Sequence, residues 1–152
     1  MELYLLRHGI AEDFATTGRD ADRALTAEGK RKLRDLLKVA AQAGVQPSLI
    51  ISSPYRRARE TAVIAAKVLD YTEEILESSS LIPNAHPQEL WEEVRVHKSA
   101  AKLLLVSHEP LLSSAASILL NASGMHVDFK KGALLRIDLE GFSSQPNGVL
   151  KW

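Results

Sequence analysis

Glu2-Leu3-Tyr4-Leu5-Leu6-Arg7-His8-Gly9 is the stretch from which the rest of the chain is read. Leu3 to Leu6 is nearly continuous apolar sequence, which suits a strand covered on both faces; an edge strand would alternate apolar and polar residues. The run ends in an arginine, a histidine and a glycine, as expected where a buried strand delivers its carboxyl end to a site.

Downstream, Gly9 to Ala24 has no periodicity, and the alternating charge of Arg19-Asp20-Ala21-Asp22-Arg23 marks a loop. Thr26 can cap a helix whose Leu33, Leu36, Leu37, Ala40 and Ala41 share one face, with Gly44 and Pro47 stopping it. A second buried strand, Leu49 to Ser52, precedes Ser53-Pro54, which reads as an N-cap with proline at the first helical position. That second helix runs to about Leu69, turning Ala58, Ala62, Ala65, Val68 and Leu69 inward. A third strand lies within Glu74 to Ser79, followed by an irregular turn at Leu81 to Ala85 and a helix from Pro87 with Leu90, Trp91 and Val94 buried. Lys102 to Ser107 is the clearest strand, and a helix follows His108-Glu109-Pro110 to about Leu120. Ala133 to Leu139 and Val149 to Trp152 suit an antiparallel pair.

This alternation predicts a three-layer α/β/α sandwich, a mostly parallel sheet with an antiparallel edge. The 152 residues contain no linker-like tract, so residues 1–152 are expected to form a single domain. A formal net charge of zero gives no long-range attraction to nucleic acid or membrane, so any basic feature must be local. Without cysteine there are no disulfides or thiolate metal sites, and no apolar stretch reaches membrane-spanning length. The first apolar run is too short for a signal peptide. A soluble, cytoplasmic monomer is expected.

Three strand ends carry polar residues: Arg7-His8, then Ser52-Ser53 with Arg56 and Arg57 beyond, then Ser107-His108. In a parallel sheet these ends share one edge, and the helices that begin there favour an anion. Arginines and histidines at that edge suit a tetrahedral anion held by guanidinium groups and attacked by imidazole. Any one of these residues could be an ordinary loop or surface group; their coincidence points to a site. Neighbours on a helix point in different directions, so at least one of Arg56, Arg57 and Arg59 faces solvent. His86, His97 and His126 fit no such pattern, and no histidine pair has metal-ligand spacing.

These residues resemble a known family. Leu6-Arg7-His8-Gly9 is similar to the signature of the histidine phosphatase superfamily, with its phosphoglycerate-mutase-like fold. Ser53-Pro54-Tyr55-Arg56-Arg57-Ala58-Arg59-Glu60-Thr61-Ala62 resembles its second motif and Val106-Ser107-His108 its third. Arg23-Ala24-Leu25-Thr26-Ala27-Glu28-Gly29 and the chain length further resemble the small bacterial SixA type of phosphohistidine phosphatase.

The resemblance implies that His8 is a nucleophile forming a phosphohistidine intermediate. It implies that Arg7 and Arg57 clamp the phosphoryl oxygens, Arg57 because the motif's arginine directly precedes the alanine, here Ala58. His108 would donate to the transferring group. No cofactor or metal is implied. The arginines should favour a neutral His8, since like charge disfavours imidazolium.

Larger relatives carry a Glu or Asp general acid after the third strand, but Ser78 to Ala85 holds no carboxylate. Imidazole is a better leaving group than an alkoxide, so this gap suits a phosphohistidine substrate. Glu109, immediately after His108, resembles the position of the acid in the acid-phosphatase branch and is the candidate acid; its other reading is a carboxylate favouring a helix N-terminus. The segment before Pro87 is too short for a lid, so an open pocket is expected, able to admit a histidine on a phosphorylated signalling or carrier protein. The alternatives are a broad phosphomonoesterase acting on small phosphate substrates, or a phosphate- or phosphopeptide-binding module without chemistry.

Overall fold

The computed structural model describes all of residues 1–152. Six strands form one sheet: β1 (Glu2–Arg7), β2 (Leu49–Ser52), β3 (Leu76–Glu77), β4 (Lys102–Ser107), β5 (Leu134–Leu139) and β6 (Gly148–Leu150). Their order is β3-β2-β4-β1-β5-β6. The first four run parallel, while β5 is antiparallel to β1 and β6 antiparallel to β5. β1 is therefore interior, as its apolar run requires, and the antiparallel pair closes one edge.

Four helices, α1 (Ala27–Gln42), α2 (Arg56–Val68), α3 (Pro87–Val96) and α4 (Leu111–Leu119), cover both faces. Successive side chains of a strand point to opposite faces, so β1 divides its payload between two cores. Leu3 and Leu5 join Leu90, Trp91 and Val94 of α3 and Leu112, Ala115 and Leu119 of α4. Tyr4 and Leu6 join Leu33 and Leu37 of α1 and Ala58, Ala62 and Ala65 of α2.

Register then aligns the polar strand ends. Leu6 lies beside Val106 and Arg7 beside Ser107, while Ser52 lies beside Val106 on the other flank of β4. The ladder continues one residue further, with His8 N–H donating to Ser107 O (3.0 Å) and Ser53 N–H to Val106 O (2.9 Å). The residues that follow three separate strands are thereby held side by side.

Some boundaries differ from the sequence expectation. Ser53 does not cap α2: the helix starts at Arg56, with Tyr55 in the N-cap position. Ser53 is kept extended by its bond to Val106, and its hydroxyl is spent on the Tyr55 N–H and on His108. On α1, Ala41 is exposed and Leu36 only half-buried, so the buried stripe is narrower than the run of alanines suggested; Val68 of α2 is likewise half-buried. β3 shrinks to two residues at the sheet edge, where only β2 pairs with it. Thr26 does cap α1, its hydroxyl accepting from Gly29 N–H at 3.0 Å. A Cβ on Gly29 would stand 2.2 Å from the Ile10 carbonyl oxygen, so a glycine is required where α1 meets the chain leaving β1.

Candidate active site

His8 emerges from β1 with 5% of its surface exposed, and its ring is fixed by a 2.7 Å hydrogen bond between Nδ1 and the Gly9 carbonyl. A carbonyl oxygen only accepts, so Nδ1 carries the proton and Nε2 keeps its lone pair. Gly9 is held in turn: its N–H donates to Thr61 Oγ1 (3.2 Å), and the Thr61 hydroxyl donates to the Arg57 carbonyl (2.7 Å). Through Thr61, the first turn of α2 and the end of β1 are tied into one unit.

Arg57 is 3% exposed and donates from Nε to His8 Nε2 at 3.2 Å. Its other two nitrogens meet Asp20, Nη1 at the backbone oxygen (2.8 Å) and Nη2 at the carboxylate (3.1 Å). Arg23 donates to the same carboxylate from Nε, at 2.8 Å. Asp20 thus bridges two guanidinium groups, and these hold its carboxyl below the usual range against the opposing cost of burial.

His108, 1% exposed, places its ring 5.0 Å from that of His8, centroid to centroid, with the Tyr55 ring edge-on at 5.3 Å. Its Nε2 lies 2.8 Å from Ser53 Oγ, while its Nδ1 has no protein partner. Arg7 donates from Nη1 to the Phe129 carbonyl (2.5 Å), and its buried Nε is also unpartnered. An unpaired buried polar group costs about 1–3 kcal/mol. Two of them in one cluster mark a place where a bound group gains from supplying the missing partners.

Burial pushes both imidazoles down. His8 falls to about 4, its burial reinforced by Arg57, Arg7 and Arg23 and partly offset by the Gly9 bond. His108 falls to about 2, by burial first and then by His8 and the same arginines. The expected neutral His8 is present, though the larger cause is desolvation and the arginines come second.

The structure brings together Arg7, His8, Arg57 and His108. Glu109 lies apart from them: its carboxylate accepts from Ser113 N–H (3.0 Å) and Ser113 Oγ (2.6 Å), satisfying the first turn of α4. Arg56 and Arg59 face outward and pair with Glu60 and Glu77. His86 caps α3, accepting from Gln88 N–H, and His97 lies beside Glu93.

There is no inserted lid before α3; the loop after β1 meets the site at one point, where the exposed Asp20 docks on Arg57. Sequence reasoning missed Asp20 and Thr61 as site residues, and it read Ser53, although at one of the three strand ends, as a helix cap. Only the charge alternation around Asp20 hinted that this loop is ion-paired, through Arg19–Asp22 and Arg23–Asp20.

The profile of the histidine phosphatase superfamily (branch 1) matches residues 3–81. An uncharacterized protein of Picosynechococcus sp. strain PCC 7002 is 34% identical over 137 residues, covering 89% of this chain and 83% of that protein. Among solved structures, the protein histidine phosphatase SixA complexed with tungstate superposes with a TM-score of 0.90 at 23% identity, covering 100% of this chain and 95% of that one. The α-ribazole phosphatase from Shigella flexneri superposes at 0.75 with 18% identity, covering 99% and 95%. At these identities the superpositions establish the fold.

Proposed function

The chain belongs to the histidine phosphatase superfamily and is a phosphatase; from that premise we propose that it removes the phosphoryl group of phosphohistidine on a protein, through a phosphoenzyme on His8. His8 Nε2 attacks phosphorus in line, forming the Nε2–P bond as the substrate's N–P bond breaks. The leaving imidazole keeps the bonding electrons, with a solvent proton on its other ring nitrogen neutralising it. Water then attacks the phosphorus of phospho-His8, releasing inorganic phosphate and restoring the Nε2 lone pair.

Arg7 and Arg57 offset the charge spreading over the phosphoryl oxygens. Arg57 Nε–H has to leave the His8 lone pair first, and its 3.2 Å bond is long enough to yield readily. His108 contributes a donor. With the Ser53 hydroxyl, which also accepts from Tyr55 N–H, assigned as the donor to His108 Nε2, the imidazole proton sits on the unpartnered Nδ1.

The observation that carries the substrate class is the state of the carboxylates. Asp20, which reaches the cluster, is held ionised between two guanidiniums, and Glu109 is turned into α4. Neither is poised to protonate an alkoxide, whereas imidazole leaves without such help. The similarity in fold to a protein histidine phosphatase agrees with this reading. The test offers the purified protein a phosphohistidine protein, a phosphohistidine peptide and a simple phosphate ester side by side. Faster turnover of both phosphohistidine substrates is expected; faster ester hydrolysis overturns the assignment.

A further inference from the structure

A groove of about 520 Å³ lies between α1 and α2, outside the cluster around His8. Lys30 and Arg34 line it from α1, and Arg56, Arg59, Glu60 and Val63 from α2. Four cations there face one carboxylate, in a chain whose net formal charge is zero. That carboxylate is committed: Glu60 accepts from Leu25 N–H (2.8 Å) and Arg56 Nε (3.0 Å) and lies 3.5 Å from Lys30 Nζ. Arg59 meets only the exposed Glu77 at the rim, and Arg34 makes no ion pair. Val63 lies 60% exposed among them, giving the groove an apolar contact.

The groove starts from the same helix end as the site: Arg56 and Arg59, which line it, flank in sequence the Arg57 that α2 holds against His8. We propose that this groove docks an acidic segment of the phosphorylated partner protein, near its phosphohistidine. The proposal rests on the phosphohistidine-protein reading. A small substrate has no use for four cations beyond the catalytic pocket, whereas an acidic protein surface gains both orientation and encounter rate from them.

The test uses two fluorescent peptides with the same unphosphorylated histidine, one carrying a run of glutamates beside it and the other glutamines. At low ionic strength the wild-type chain should bind the glutamate peptide about tenfold more tightly, a preference lost by about 0.5 M salt. Arg34→Gln with Arg59→Gln should abolish the preference; Lys98→Gln with Lys151→Gln, an equal charge change elsewhere, should not. Equal binding of the two peptides, or a preference that survives the arginine changes, overturns the docking surface. Turnover of the phosphorylated peptides is scored separately. Binding of the glutamate peptide with no loss of its phosphoryl group supports the groove and sinks the substrate reading.

Discussion

The ends of β1 and β4 are neighbours in the sheet and each delivers a histidine, yet the two rings are held in different ways. At the end of β1, Gly9's carbonyl takes the Nδ1 proton of His8 and leaves the Nε2 lone pair facing Arg57. At the end of β4, Ser53 takes Nε2 of His108 and leaves Nδ1 unpartnered. Both rings are buried, both are neutral, and both carry the proton on Nδ1 in our reading. In the proposed mechanism, what separates the nucleophile from the donor is which nitrogen the neighbour occupies.

The sharpest way to break this comparison is to remove each ring. His8→Ala should eliminate the phosphoenzyme and lower turnover by at least about a thousandfold. His108→Ala should slow transfer by roughly a hundredfold to a thousandfold while still allowing label to accumulate on His8. Labelling of the two variants with a radioactive phosphoryl donor checks both; equal loss of label would mean the rings act as one.

Ser53→Ala frees His108 Nε2 and lets the ring rotate or change tautomer, so kcat should fall about tenfold with His8 labelling intact. Steady-state kinetics and the label measured together separate this from misfolding.

The pH dependence follows from the same burial. With His8 at about 4, kcat/KM should stay level from neutral pH down to about 5 and be halved near 4. An acid limb near the usual 6.5 would show that His8 is not desolvated. Stability has the same sign: below about 6.5 the unfolded chain binds protons on His8 and His108 that the folded chain refuses, so the melting temperature falls as pH drops toward 4. His108→Gln should flatten that slope.

The smallest effect is expected at Glu109. Glu109→Gln should leave turnover and its pH profile unchanged, because the carboxylate serves Ser113. A lost basic limb would return it to the chemistry as an acid.

Much of this site was legible in the sequence because it sits where strands end. The apolar run of β1 announces its burial, and Arg7 and His8 follow at once; Lys102 to Ser107 does the same for His108. The choice of Arg57 over Arg56 came from the family motif; in the structure Arg57 is enclosed beside His8 and Arg56 is exposed. Asp20 was not legible, since a loop without periodicity gives no sign of which side chain folds back. Ser53 was misassigned for a related reason. Its sequence context fits a helix cap, but the pairing of β2 with β4 brings His108 to its hydroxyl, a contact between residues 55 positions apart that local sequence cannot show.

The central claim is that His8 Nε2 is the attacking atom. Phosphoenzyme trapped at low temperature and examined by phosphorus and nitrogen magnetic resonance should show phosphorus on His8 Nε2. Phosphorus on His8 Nδ1, or on His108, would contradict it.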